Sequence, residues 1–537
     1  MSSVESEAGV LGMELFTSSV FLVLVLLSSA SLGQPAAPIQ TPHSNPKMSK
    51  RVSRPSKGSF LLKVSKVPSA AAEAALEAAK AAGQSTRAVE GHNAELGAAL
   101  IAKREKSMGP NVSVFYKQDG GLVVPSGQGV HMRDIDGNLH LDCCNNVACV
   151  GHAHPRVVEA GQRELANIQT NGRFLNPVQQ RYVEKLLATF PPELNTIYFV
   201  NSGSEANDLA LRIARAANTA TRPLDVAILD VAYHGHTQAL LDISPYKWYQ
   251  AVDGLDYQPA STHVLELPDS FRGKHRGGQT EEVGALYAAE MEDLVGGQDG
   301  GVGVFIAESI LGCGGQVVPP PGYLRRCYAA VRKAGGVCIA DEVQTGFARP
   351  GSSFWMFQEH GVVPDIVTFG KPMGNGYPVA AVVCRRSVAD KFAQSGIEYF
   401  NTFGGNSVAC AIAEAVLDTI QLEGLQQNAL LVGRYLTAQL LLLKDQYLWV
   451  GDVRGSGLFQ GIEIVHSRTS ADLQPYPELT KFLVDYLRYQ HVLVSRDGPD
   501  ENVIKIKPPL VFSKENVDTL VGALREGLAC ATRLNIF

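Results

Sequence analysis

The sequence predicts an α/β protein: a large domain on a mostly parallel sheet, then a smaller α+β domain at the C-terminus. Three observations predict it. From about residue 110 onward, short apolar runs alternate with amphipathic stretches. Those runs are near-continuously apolar, as strands covered on both faces are. Glycine accounts for 52 of 537 residues, above the usual ~7%, an excess that suits many tight strand-to-helix turns. Hydrophobic residues are 45% and charged residues 19%, which fits a large buried core. Lys+Arg 47 against Asp+Glu 53 gives a net charge of −6, which removes the electrostatic case for a nucleic-acid partner. Nine cysteines, an odd number with no paired Cys-x-x-Cys, argue for reduced, buried thiols rather than a disulfide framework or zinc module.

Along the chain, the first region is set apart. Val20 to Leu27 is an unbroken apolar octet inside a stretch, Leu15 to Pro46, that carries no charge. It is too short to span a membrane, which needs ~20 apolar residues, so no stable membrane insertion is expected. It fits the core of a secretory signal, but Glu5, Glu7 and Glu14 precede it where basic residues belong. From Lys47 to Lys66 seven Lys and Arg residues occur with serines and no acid before Glu73. That composition suits an organelle transit peptide, with Met48 an alternative start, and predicts mitochondrial import; cytoplasmic residence with a solvated basic tail, or secretory entry, are the alternatives. Ala70 to Ala82 is Ala/Glu-rich and helical by propensity. The organisation expected is 1–95 targeting or poorly ordered, 96–170 an N-terminal segment packing on the small domain, 171–425 the large domain and 426–537 the small one.

In the large domain Asn195–Val200, Asp225–Leu229, Gly303–Glu308, Val337–Asp341, Asp365–Phe369 and Val379–Val383 read as strands, with helices over Glu205–Ala216 and Gly322–Lys333. After about Glu423 longer amphipathic stretches and shorter strands (Gly457–Ile464, Val492–Ser495) mark the second domain. Sheets of the first kind bind ligands at the carboxyl ends of their strands, and polar groups gather there. Residues 201–207, Asn-Ser-Gly-Ser-Glu-Ala-Asn, follow a strand. Ser202 and Glu205 have capping-box spacing, and the amides of Gly203 and Ser204 at a helix N-terminus suit an anion. Asp341 ends another strand. Lys371 leaves an apolar strand into a Gly-rich turn, where burial makes an amine nucleophilic and able to form a Schiff base. Tyr233 offers a flat face. A phosphate cradle, a carboxylate, a Schiff-base lysine and a stacking ring are together what pyridoxal phosphate needs.

The stretches NSGSEAND (201–208), YHGH (233–236), ADEVQTGFARPG (340–351), TFGKPMGNGYP (368–378) and NTFGGN (401–406) resemble the class III aminotransferase family across roughly residues 97–532. The resemblance implies a fold-type I homodimer that binds pyridoxal 5'-phosphate and acts on a small-molecule amine. By position it implies that Lys371 carries the cofactor, Asp341 pairs with its pyridine nitrogen, and Gln344 bonds its ring hydroxyl. It further implies that Gly203 and Ser204 hold the phosphate, that Tyr233 stacks on the ring, and that Thr402 reaches the partner subunit's cofactor. Glu308 matches an acidic residue near the substrate pocket.

One departure bears on the reaction. Family members that handle amino acids carry an Arg-x-x-Pro-Pro stretch whose Arg grips the α-carboxylate; here Lys505-Ile506-Lys507-Pro508-Pro509 stands in its place. Lysine lacks the planar two-pronged contact of arginine. That form, with Asn-Asn-Val-Ala-x-Val-Gly-His from 145, Asp-Ile-Ser-Pro-Tyr-Lys from 242 and Gly-Asn-Gly at 374, resembles the family's phospho-lyases. These act on ethanolamine phosphate or 5-phosphohydroxylysine. Expulsion of phosphate requires nearby cations, and Lys247, Arg349, Lys505 and Lys507 are the candidates. Lys505 and Lys507 could equally line an exposed strand face. Aminotransfer to a 2-oxo acid such as glyoxylate or pyruvate is the alternative outcome, and a cofactor-free scaffold the non-enzymatic one. His152-Ala-His154 and His234-Gly-His236 have the form of zinc-binding pairs, but no further His/Asp set completes a site, and no metal is expected. Cys143, Cys144 and Cys149 read as small buried apolar residues.

Overall fold

The protein is described here from a computed structural model, over residues 92–249, 258–297 and 300–534 with Ala74 and Glu77 besides. The apolar octet, the basic stretch and nearly all of Ala70–Ala82 lie outside the described residues.

Seven strands form the central sheet: β1 (Leu194–Val200), β2 (Arg222–Leu229), β3 (Thr262–Leu265), β4 (Val302–Glu308), β5 (Val337–Asp341), β6 (Ile366–Phe369) and β7 (Ala380–Arg385). Their order is β1-β7-β6-β5-β4-β2-β3. All neighbours run parallel except β7, which is antiparallel to both β1 and β6. The strand expected over Val379–Val383 is therefore the one that runs backwards. It returns directly from β6 through the Gly-rich turn, because an antiparallel partner needs no helical crossover.

The continuous apolar runs have a simple cause. Alternate residues of each strand serve two separate cores. Phe305 and Ala307 of β4, Cys338 and Ala340 of β5, and Val367 and Phe369 of β6 enter one. Val304 and Ile306, Val337 and Ile339, and Ile366 enter the other, beside Ala206, Leu209, Ala210 and Ile213 of the helix Gly203–Ala217. A residue turned to either face is thus removed from water.

Two four-stranded sheets complete the fold. In one, Ser126–Gln128, His131–Arg133 and Leu139–Asp142 form a meander, and Val492–Leu493 adds parallel to its last strand. The other is antiparallel and holds Val450–Ser456, Phe459–Ile464, Val503–Ile506 and Ser495–Asp497. The single strand expected over Val492–Ser495 is thus two short ones that serve different sheets, with Val494 between them. That division ties residues from the start of the described chain to the C-terminal segment. The Lys507 amide donates to the Cys143 carbonyl at 2.7 Å and that of Leu510 to the Cys149 carbonyl at 2.7 Å.

Candidate active site

Strand register builds the floor. Glu308 of β4 lies opposite Asp341 of β5, and Asp341 opposite Thr368 of β6. All three share the parity of Ile306, Ile339 and Ile366, so they face the helix Gly203–Ala217 at the carboxyl edge of the sheet. Asn207, in the second turn of that helix, bridges Asp341 and Thr368. Its Nδ2 donates to Asp341 Oδ2 at 2.7 Å and its Oδ1 accepts from Thr368 Oγ1 at 2.6 Å. His234 Nδ1 bonds the same Asp341 oxygen at 2.8 Å, and the Val343 amide donates to the other at 3.0 Å. The sequence reading missed both orienting residues. His234 belongs to a pair weighed for zinc, although its place in the YHGH stretch beside Tyr233 was the available signal. Among the described residues no group of three or more His, Cys, Asp or Glu is arranged to hold a metal.

The helix N-terminus is capped as its spacing predicts: Ser202 Oγ accepts from the Glu205 amide at 3.1 Å. The carboxylate reaches back one residue further than expected, to the Asn201 amide at 2.8 Å. Gly203 is pressed by Val343, whose Cγ1 would lie 2.7 Å from any added Cβ. Ser204 Oγ accepts from the His236 amide at 3.1 Å, so the loop after β2, with Tyr233, rests on this helix. Val231, two residues before Tyr233, has a φ of 63°, a strained conformation for a β-branched residue of the kind that gathers at functional sites.

Lys371 lies three residues past Thr368. Among the described residues its Nζ has no hydrogen-bond or ion-pair partner, while its charge acts on both Glu308 and Lys507. The turn that carries it is pinned by Asn375, whose side chain accepts from the Val150 amide at 2.9 Å and donates to the Gly151 carbonyl at 2.8 Å.

The wall comes from the C-terminal segment. Lys507 is 3% exposed, and its Nζ donates to Gln344 Oε1 at 2.8 Å. Gln344 Nε2 donates to Glu308 Oε1 at 3.2 Å, and the Gly312 amide to Glu308 Oε2 at 3.2 Å. Burial and Asp341 push the Glu308 carboxyl well above the ordinary carboxylate range. Burial, reinforced by the Lys505 charge, brings Lys507 down to about 7. Lys505 behaves differently: Asp497 Oδ2 accepts from it at 2.6 Å, and despite its burial that carboxylate draws its proton affinity up. Neither lysine lines an exposed strand face.

The remaining candidates separate. Arg349 is fully buried and tethers the main chain through one nitrogen, while its Nε and Nη2 have no partner among the described residues. Its Nη1 donates to the main-chain carbonyls of Pro508 at 2.7 Å and Leu458 at 3.0 Å. Lys247 lies outside the floor, 5.2 Å from the Tyr246 ring centre and 5.8 Å from that of Tyr233. Thr402 is exposed, in a loop fastened to the helix end by the Asn201 side chain, which donates to Asn401 Oδ1 at 3.0 Å.

These residues fit pyridoxal phosphate. Asp341 is a buried carboxylate oriented by three donors, and the amine of Lys371 is uncommitted. Gly203 leaves the helix amides bare of a side chain. The His234 Nε2 is buried and without a partner among the described residues.

The aminotransferase class-III family model matches residues 115–528. A Drosophila melanogaster protein named alanine–glyoxylate aminotransferase 2-like is 48% identical over 436 residues, 80% of this chain and 86% of its own. The Caenorhabditis elegans ethanolamine-phosphate phospho-lyase homolog 1 is 39% identical over 448 residues, 81% of this chain and 94% of its own. Among solved structures, a phospholyase from Arthrobacter in complex with phosphoethanolamine superposes with a TM-score of 0.74 at 38% identity, over 80% of this chain and 99% of that one. The chain belongs to the class III aminotransferase family and is a pyridoxal-phosphate-dependent enzyme of fold type I.

Proposed function

We propose that the chain is a phospho-lyase. It eliminates phosphate from a phosphorylated primary amine, ethanolamine phosphate or 5-phosphohydroxylysine, to give an aldehyde, ammonia and phosphate. One observation carries this reading: Lys507 is a buried amine that makes no ion pair among the described residues and is hydrogen-bonded only to the Gln344 amide oxygen. A doubly negative ester would supply the missing counter-charge. The position where relatives grip an α-carboxylate with arginine is Lys505, and Asp497 already answers its charge. The phosphoethanolamine complex of the Arthrobacter relative supports the same substrate class.

The chain's own residues divide the work. When bound, pyridoxal phosphate draws electrons from the carbon that bears the substrate's amine. Asp341, held by Asn207 and His234, keeps the pyridine nitrogen protonated. The Gly203 and Ser204 amides take the cofactor phosphate at the positive end of their helix. Tyr233 would hold the ring, and Gln344 its hydroxyl. Lys371 would hold the cofactor, and its amine, once released, would take the proton from the amine-bearing carbon. Phosphate departs from the neighbouring carbon toward Lys507, and the enamine left behind hydrolyses.

The working unit is a homodimer in this reading. Phe174, Leu175, Ile397, Phe400 and Phe403 are all exposed, Phe403 at 65%, and Thr402 stands between the last two. Apolar groups gathered around a site residue favour a second copy as their cover. The basic, acid-free stretch from Lys47 to Lys66 supports delivery to mitochondria.

A product assay tests the reaction. Ethanolamine phosphate and 5-phosphohydroxylysine are each supplied alone, and alanine with glyoxylate in parallel. Release of phosphate and ammonia in equal amounts without an oxo acid is expected. Brisk transfer from alanine to glyoxylate with no phosphate release would overturn the reading in favour of the aminotransferase activity named for the Drosophila relative.

A further inference from the structure

Resting on the phospho-lyase reading, we propose that Lys507 is the proton donor of the elimination, a catalytic acid as well as a phosphate contact. The chemistry needs one. A phosphate monoester is nearly dianionic at neutral pH. If its carbon–oxygen bond broke unaided, the electron pair would go to a trianion. Transfer of one ammonium proton to that oxygen forms an O–H bond, leaves Lys507 as a neutral amine, and releases hydrogen phosphate. Lys371 meanwhile has gained the proton from the amine-bearing carbon, so the two lysines exchange charge states and the reaction is balanced.

The geometry distinguishes Lys507 from the other cations. Lys505 is bound to Asp497 and would have to break a buried ion pair to give up a proton. Arg349 is fixed on two carbonyls, and guanidinium does not release its proton in this range. Among the described residues Lys507 makes one side-chain hydrogen bond, to a neutral amide oxygen, with the Phe459 ring centre 5.0 Å away. The titratable and charged groups whose fields reach it are Lys505, Lys371, Asp497 and Cys313, with Glu308 across Gln344. Its proton affinity of about 7 suits an acid that must hold a proton at rest and lose it within a turnover.

Leaving-group basicity gives the test. Ethanolamine O-sulfate has the same carbon skeleton, but its leaving group needs no proton. Wild-type enzyme, Lys507→Arg and Lys507→Met are assayed on both esters, with bound inorganic phosphate followed by 31P line broadening and the cofactor's visible absorbance checking the site. Lys507→Arg is expected to bind phosphate within a few-fold of wild type. Its kcat on the phosphate ester should fall by about 10²- to 10⁴-fold, and on the sulfate ester by less than about tenfold. Lys507→Met should lose phosphate binding and show the same preference for sulfate. Equal losses on both esters in both variants would overturn the proposal while leaving the phospho-lyase reading intact. Wild-type enzyme that releases no phosphate from either phosphorylated amine would overturn both.

Discussion

The floor and the wall of the site are built by opposite principles. On the floor, Asp341 receives hydrogen bonds from Asn207, His234 and the Val343 amide, which come from a helix, from the loop after β2 and from just past β5. On the wall, Lys507 extends from the turn after an antiparallel strand and meets one amide oxygen. Three donors fix a carboxylate in one position. A single neutral acceptor leaves an ammonium short of its counter-charge, which a ligand can then provide. The floor therefore suits chemistry shared by every substrate, and the wall suits selection among them.

That contrast implies a stability cost on the wall, and removing it should give the largest effect. Lys507 has a folded-state proton affinity below that of an unfolded lysine, about 7 against 10.5. Above both values the group is neutral in either state and costs nothing. As pH falls from about 10.5 toward 7, the unfolded chain binds the proton first and stability is lost. Below about 7 the penalty is complete. Lys507→Met, of similar volume, should raise the unfolding free energy of ligand-free protein by up to ~4 kcal/mol at pH 7. The gain should shrink toward zero by pH 10.5, as denaturant titrations at several pH values would show. A loss of stability at pH 7 would mean that the ammonium is already compensated and that floor and wall do not differ in this respect.

The floor should respond the other way. His234→Ala removes one of three donors to a buried carboxylate, a bond to a charged acceptor worth roughly 1.5–3 kcal/mol. We expect kcat to fall about 10- to 150-fold and cofactor retention to weaken, with KM for the substrate little changed. If KM rose while kcat held, His234 would belong to the wall's function instead.

The sequence made these two regions legible to different degrees. Each floor residue named from it ends a strand whose continuous apolar run is readable, and Glu308, Asp341 and Lys371 fall where such strands stop. Asn207 and His234 were missed because orienting a carboxylate leaves no spacing signature of its own; the register that lines Asp341 up with Thr368 reveals Asn207, and the loop that carries the YHGH stretch brings His234 to Asp341. The wall resisted for a different reason. Lys505 and Lys507 are two residues apart with the same chemistry. What separates them is Asp497 across a hairpin and Gln344 just past a strand of the central sheet, both products of the tertiary fold. The tethering part of Arg349 was hidden on similar grounds, since a carbonyl partner such as that of Pro508 has no side chain to betray it.

The tether between the regions allows the smallest and cleanest test. Phe347 and Ala348, just before Arg349, have φ of 60° and 62°, a left-handed pair without glycine. Each residue so placed costs on the order of 1 kcal/mol, and the cost is tolerated because the turn delivers Arg349 to the carbonyls of Leu458 and Pro508. Glycine at 348 would remove that strain, partly offset by the greater freedom it gives the unfolded chain. Because the substitution also deletes a fully buried methyl, worth about 0.8 kcal/mol, Ala348→Gly is expected to leave stability within about 1 kcal/mol of wild type in denaturant titration, with kcat and KM unchanged. If activity fell instead, the strain itself would be holding Arg349, and through Pro508 the wall, in its working position. The turn would then belong to the catalytic geometry rather than merely supporting it.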